Sequence, residues 1–145
     1  MPYYHGLLKV IWILWDRASA PFVVDSVQKS WRHHNPTWEV TVLTFKDLPR
    51  LMDTTKLKPN MSIQAQSDVI RLNLLNNHGG VWADATMLCM KPLDEWVWEY
   101  IVAQGYFMFG WLTCSWFIVS RANTDLLATW SRLADAYWAT RDSPS

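Results

Sequence analysis

Four side chains in the stretch 67–86, SDVIRLNLLNNHGGVWADAT, could handle a charged, hydroxyl-rich ligand: Asp68, Arg71, Asp84 and Thr86. Asp84 stands out. It follows the apolar run Val81-Trp82-Ala83, where a buried carboxylate is costly unless it has a partner. A turn at a strand end would also welcome an aspartate. Asp68 and Arg71 are three residues apart, so on a helix they can form an i,i+3 ion pair. Alternatively, Arg71 faces a diphosphate or a ribose and Asp68 orients it. Thr86 suits a strand by propensity and could equally present its hydroxyl to a ligand. Trp12, in an apolar run, is either core or a flat surface for a stacked base. His33 and His34 have no further His or Cys at ligand spacing, so they read as helix-end residues and not a zinc site. His78 reads as a helix C-terminal residue. No dedicated general base stands out.

The elements that must position these residues follow from periodicity. Ser67 is expected to cap a helix, with Asp68 in its first turn at the positive end of the dipole. Val69, Ile70, Leu72, Leu74 and Leu75 form its apolar stripe. Gly79 and Gly80 supply the positive φ that ends the helix and reverses the chain, and Gly80 also permits close approach of backbone to ligand. A short strand then delivers Asp84 at its carboxyl end, where ligands sit in open α/β sheets. Upstream, 7–14 reads as a central strand buried on both faces, closed by Asp16 and Arg17. Residues 21–33 read as a helix and 38–45 as a second strand, a unit whose crossover should be right-handed. A short helix over 47–52 and a polar surface loop over 54–62 precede the central stretch. Downstream, 94–102 has helical potential, 106–109 and 116–120 are strand candidates separated by Gly110, and 123–140 is a last helix. That helix is capped by Asn123 or Thr124 and carries Leu126, Leu127, Trp130, Leu133, Ala134 and Tyr137 on one face. The tail 141–145 is expected to fray. Alternating strands and helices predict the α/β class with a mostly parallel sheet.

Composition narrows the classes. The 145 residues suffice for one domain with one sizeable core, and no repeat or linker divides them. Thirteen basic and thirteen acidic side chains balance, which argues against a nucleic-acid binder. Eleven tryptophans suit a core and also a site that stacks bases or sugars. Cys89 and Cys114 show no metal spacing and are too few for a disulfide scaffold, so a reducing, cytoplasmic setting is expected, although the two could pair. The longest apolar run, 7–15, contains Lys9 and falls short of the roughly 20 residues that span a bilayer. No transmembrane segment or export signal is expected.

The ordered succession KVIWILW, SVQKSWRHHNPTWEV, SDVIRLNLLNNHGGVWADAT, KPLDEW and SWFIVSRAN resembles a family. It is similar to glycosyltransferases with a DXD-type sugar-binding region, and closest to the capsular polysaccharide synthesis branch. That branch is related to mannosyltransferases and to the catalytic domains of glucosylating toxins. The resemblance runs from about residue 9 to 137, and it is the ordered set SD-x-x-R, GG, W-x-D-x-T that carries it. It implies a GT-A fold, with a Rossmann-like nucleotide-sugar-binding sheet flanked by helices, in a single domain over 1–145. It implies sugar transfer from a nucleotide-sugar donor to a glycan or other hydroxyl acceptor, with retention of configuration. Asp68 and Arg71 would hold the donor's nucleoside and sugar. Asp84 would contact ribose, sugar or a divalent metal, Mn²⁺ or Mg²⁺, and the base would stack on Trp12, with Trp15 a neighbour. Ser115 and Trp116 could line the acceptor side. Two departures stand out. Thr86 occupies the place of the second DXD acid, and a neutral hydroxyl cannot supply a carboxylate's charge to the metal. The chain also stops soon after SWF, where relatives continue, as a compact version, a fragment or a protein needing a partner would. The alternatives to a transferase are a non-catalytic nucleotide-sugar or carbohydrate-binding module and a structural partner domain.

Overall fold

The computed structural model describes residues 2–16, 21–109 and 117–139. The expectations placed on Arg17, Gly110, Cys114, Ser115, Trp116 and the tail 141–145 lie outside the described residues. The chain opens with a small antiparallel ribbon, β1 (Tyr3–Tyr4) and β2 (Leu7–Leu8), turning at His5 and Gly6. The strand β3 (Val10–Leu14) follows, so the apolar run 7–14 is two strands divided at Lys9. Next come α1 (Phe22–His34), β4 (Glu39–Leu43) and a 3₁₀ turn over Phe45–Arg50. The polar 54–62 stretch includes a further 3₁₀ turn, Thr54–Lys56. The central pair is α2 (Ile63–Asn77) and β5 (Gly80–Ala83). The chain then adds α3 (Val97–Gln104), β6 (Tyr106–Phe109), β7 (Phe117–Ser120) and α4 (Asp125–Ala139).

Five strands form one sheet in the order β4-β3-β5-β7-β6. β4, β3 and β5 run parallel, whereas β7 is antiparallel to both β5 and β6. The sheet is therefore mixed, and the expectation of a mostly parallel one is corrected. For β6 and β7 chain length explains the direction. Only residues 110–116 lie between them, fewer than the dozen or so that a parallel crossover needs.

Strand alternation divides the core between the two faces of the sheet. Val10, Trp12, Trp82 and Ile118 point to one side, where they meet Ile70, Leu74 and Leu75 of α2 and Leu127 of α4. Ile11, Ile13, Val81, Ala83 and Val119 point to the other, against Val27 and Trp31 of α1 and Val97 and Ile101 of α3. Burying each such side chain contributes roughly 1.5–3 kcal/mol before chain entropy is subtracted.

α2 begins earlier than Ser67. Its N-cap is Ser62, whose hydroxyl accepts the N–H of Ala65 at 3.1 Å. The intervening Ile-Gln-Ala-Gln contains no helix breaker, so the helix extends to the first available serine. Asp68 thus lies in the second turn, and its first-turn dipole role is corrected. Residues 69–75 are buried on nearly every side because α2 packs against both the sheet and α4. On α4 the capping falls to Thr124, whose hydroxyl accepts the N–H of Leu127 at 3.3 Å. Leu133 and Tyr137 are exposed, contrary to the expected stripe, and Ser131 is buried in their stead. Among the described residues no helix is long and apolar enough to cross a membrane.

The diglycine is required by space as well as by φ. Gly79 and Gly80 have φ of 74° and 114°. A Cβ on Gly79 would lie 2.7 Å from the backbone nitrogen of Ala122; one on Gly80 would lie 2.8 Å from the carbonyl of Val10.

Candidate active site

The three parallel strands end at one edge of the sheet, and a cleft of about 450 Å³ opens there. Trp15 and Asp16 follow β3, Phe45 follows β4, and Asp84, Ala85 and Thr86 follow β5. Ile63, Gln64, Ser67, Asp68 and Arg71 of α2 form the facing wall. A parallel sheet gathers its strand ends at one rim, so residues distant in sequence converge there. One hydrogen bond ties two of these loops: the backbone N–H of Phe45 donates to the Asp16 carboxylate at 2.9 Å.

At the centre is Arg71, whose side chain is only 7% exposed. Its Nε donates to the Ser67 carbonyl at 3.3 Å and its Nη2 to the Ser67 hydroxyl at 3.1 Å. Ser67 is one turn earlier on the same helix, so local geometry aims the guanidinium. Two carboxylates flank it. Asp68 Oδ1 lies 3.4 Å from Nη2 and Asp84 Oδ1 lies 3.7 Å from it. The guanidinium also lies over the Trp82 ring, 5.2 Å from its centroid, within cation–π range. Trp82 and Asp84 are two apart on and just beyond β5, hence on the same face, and the indole N–H donates to Asp84 Oδ1 at 2.8 Å.

Burial raises the Asp68 carboxyl above its ordinary value; nearby Arg71 works in the opposite direction, and the negative charge of Asp84 raises it further. The two acids and the one guanidinium carry a net charge of about −1 when ionised. Such a site can bind hydroxyls and a cation through its acids and an anionic group through its arginine.

Four of the sequence-derived residues, Asp68, Arg71, Asp84 and Thr86, line this cleft together. Two do not. Trp12 is 2% exposed, packs in the core, and donates its indole N–H to the Gly79 carbonyl at 3.0 Å. It is two residues short of the strand end, where α2 covers the face, so it presents no ring to the cleft; Trp15, at the rim, is among the residues that line it. Gly80 starts β5 at the end away from Asp84, and its open side is filled by Val10 and Trp12. The direct contacts of Trp82 and Ser67 with Arg71 escaped sequence reasoning. The i,i+2 spacing of Trp82 and Asp84 and the i,i+4 spacing of Ser67 and Arg71 were the available signals. Asp16 and Phe45 had none, since their closeness depends on β3 pairing with β4.

Among the described residues no group of three or more His, Cys, Asp or Glu side chains is placed to hold a metal ion. A Mg²⁺-like ion typically needs one or two protein carboxylates, with substrate phosphates and water completing its shell. Asp84, with Asp68 and Thr86 in the same cleft, meets that smaller requirement. His33 and His34 end α1, edge to face at 5.1 Å, and His78 is the C-cap of α2, its Nε2 2.8 Å from the Leu51 carbonyl, so all three have the helix-end placement expected of them.

Fold and cleft define a mixed-sheet α/β domain with an acid–arginine site at the carboxyl edge of its parallel strands. The chain belongs to the capsular polysaccharide synthesis protein family, whose model matches residues 4–145. It is 34% identical over 107 residues to the glycosyltransferase afumC of Aspergillus fumigatus, a match covering 61% of this chain and 27% of that protein. It is 27% identical over 98 residues to HOC1 of Saccharomyces cerevisiae, whose name carries a provisional glycosyltransferase assignment; 60% of this chain and 24% of HOC1 are covered. The chain thus spans about a quarter of the length of these curated relatives. Among solved structures it is similar to the PaToxG glycosyltransferase, with a TM-score of 0.62 at 14% identity, covering 92% of this chain and 62% of that one. That likeness is one of fold.

Proposed function

We propose that this domain is the donor-binding part of a glycosyltransferase of GT-A type, moving a sugar from a nucleotide-sugar to a hydroxyl of a glycan or other acceptor. The observation that carries this reading is the close placement of Asp84 and Arg71 at the ligand-facing rim of the sheet. Departure of a nucleoside diphosphate builds negative charge, and a preorganised cation in a sheltered site stabilises it. Arg71 is that cation. Asp68 and Asp84 accept hydrogen bonds from ribose or sugar hydroxyls and orient the anomeric carbon toward the acceptor. Trp15, and not Trp12, offers the surface for the base. Asp84 would be the principal protein ligand of a divalent ion, Mn²⁺ or Mg²⁺, which when bound would neutralise further charge on the diphosphate. The acceptor hydroxyl approaches on the face the diphosphate leaves: its oxygen bonds the anomeric carbon as the bond to the diphosphate breaks, its proton passes to the departing diphosphate oxygen, and configuration is retained.

A thermal-shift screen of UDP- and GDP-sugars with and without Mn²⁺ tests donor binding, since a ligand that prefers the folded state raises its melting temperature. A preferred nucleotide-sugar should stabilise the wild type. Asp84→Ala should then lose transfer by about 10²–10³-fold while the protein remains folded. Undiminished turnover in that variant, or no stabilisation of the wild type by any donor, refutes the reading. Proton NMR of the product anomer checks retention. The neutral Thr86 favours a second reading, a non-catalytic nucleotide-sugar or carbohydrate-binding module; donor binding without turnover across an acceptor panel would select it.

A further inference from the structure

The cleft changes character along the rim. Its β4 side is apolar and aromatic, with Leu14, Trp15, Phe45 and Ile63; its β5 side carries Asp68, Asp84 and Thr86. β3 lies between β4 and β5, and neighbouring strands are about 4.8 Å apart, so the two ends stand about 10 Å from each other. A nucleoside diphosphate has the same polarity along its length, with a flat base at one end and charged phosphates at the other. Among the described cleft residues, Asp16 is the acid at the aromatic end. Two backbone groups hold it beside the rings. The Trp15 N–H donates to the Leu43 carbonyl at 2.9 Å, which continues the pairing of β3 with β4, and the Phe45 N–H donates to Asp16 Oδ1 at 2.9 Å. The latter bond takes only one of the roughly four lone-pair sites of that carboxylate. The side chain is exposed at the cleft, so the remaining sites are open to a ligand.

We propose, resting on the donor-binding reading above, that the Asp16 carboxylate reads the base of the donor and selects guanine. An ionised carboxylate only accepts hydrogen bonds. Guanine presents two adjacent donors, N1–H and the 2-amino group. A carboxylate takes such a pair side by side, as it takes the two parallel N–H groups of an arginine. Uracil presents a single N–H between two carbonyl oxygens, which the negative charge repels. Gln64, also in the cleft, carries both donors and an acceptor and so excludes no base. A site built to hydrogen-bond one group discriminates against an analogue without it, because the site's own polar group is then left unpaired. The preferred donor is therefore a GDP-sugar.

The test is calorimetry with GDP, UDP and xanthosine diphosphate (XDP) in the presence of Mn²⁺. Xanthine keeps the ring size of guanine and replaces the 2-amino donor with a carbonyl, so XDP separates the reading of donors from the stacking of rings. The wild type should bind GDP at least tenfold more tightly than UDP or XDP, in line with hydrogen bonds to a charged group. Asp16→Asn keeps an oxygen for the Phe45 N–H and puts an amide donor in place of the second carboxylate oxygen. It should weaken GDP at least tenfold, leave UDP within about threefold and strengthen XDP, whose carbonyl then meets a donor. UDP or XDP bound by the wild type as tightly as GDP, or a preference for GDP unchanged in Asp16→Asn, overturns the proposal. So does an equal change in all three affinities, the mark of an Asp16 that only holds the loop at Phe45. Should Asp16→Asn not fold, the wild-type ratio of GDP to XDP affinity carries the test, and a ratio below about tenfold overturns it. If the wild type binds none of the three, the proposal falls, and the nucleotide-sugar screen above decides whether the donor-binding reading falls with it.

Discussion

Two hollows open near the same edge of the sheet, and they differ in almost every respect. The parallel half, β4-β3-β5, ends in the cleft that holds Asp16, Asp68, Arg71 and Asp84. Beside the antiparallel half lies a hollow of about 350 Å³ walled by Trp31, Met87, Cys89, Leu93, Trp96, Phe107 and Phe117. Strand direction accounts for part of the contrast. Parallel strands bring three carboxyl ends, with their polar following residues, to one rim. The antiparallel pair brings the start of β7 and the end of β6 there, and these are the phenylalanines Phe117 and Phe109. The helices complete it. α2 crosses the charged side and contributes Ser67, Asp68 and Arg71, whereas α1 and the Leu93–Glu95 turn bring Trp31 and Leu93 to the other. Residues on β5 and just beyond it serve both: Trp82 and Asp84 face the charged cleft, and Ala83 faces the apolar core. One hollow is thus built for polar chemistry, and the other is an extension of the core.

Substitutions can break that contrast, and the largest effect is expected on the apolar side. Phe117 is buried and lies nearly parallel to Trp31, with centroids 5.8 Å apart. Phe117→Ala should destabilise the fold by about 3–5 kcal/mol by denaturant titration. Loss of donor binding without loss of stability in that variant would erase the distinction between the two hollows. On the charged side, Trp15→Ala should do the opposite. It should cost about 1–3 kcal/mol of nucleotide affinity, as loss of a stacking surface does, with little change in melting temperature. The smallest effect sharpens the electrostatic side of the comparison. The Asp68 carboxyl is raised above its ordinary 3.8, so the folded state keeps a proton that the unfolded state has already released. Stability attributable to Asp68 is therefore present below 3.8 and is lost as pH rises through the folded value. The side chain is 54% exposed, so the change should stay under about 1 kcal/mol. Unfolding curves between pH 3 and 6, compared with Asp68→Asn, should show that the variant lacks this loss, so that its stability relative to the wild type rises with pH by that amount; identical profiles would remove Asp68 from the coupled group.

The local pattern carried a good deal of this. Helical spacing in 21–33 anticipated α1 within a residue or so at each end, and the apolar stripe of 69–75 is buried as expected. The diglycine turn and the short strand that delivers Asp84 were also legible, because a positive φ and a carboxylate beside an apolar run leave few alternatives. Other features were hidden. Ser62 and Ser67 can both cap a helix, and only the folded chain chooses Ser62. Trp12 and Trp15 belong to one apolar run, and which of them reaches the rim depends on where β3 ends relative to α2.

Sequence alone determined that an acid would stand at the end of a buried strand behind a glycine turn, and that an Asp and an Arg would share one side of a helix. Those are short-range matters of backbone φ, strand alternation and helical period. Tertiary structure decided that helix and strand meet so that Arg71 lies between two carboxylates over the Trp82 ring. It also decided that Asp16 and Phe45 join the same rim, and that the sheet turns antiparallel beyond β5. These depend on which strands pair and on how helices cross the sheet, choices made by the packing of the whole core and recorded in no single stretch of residues.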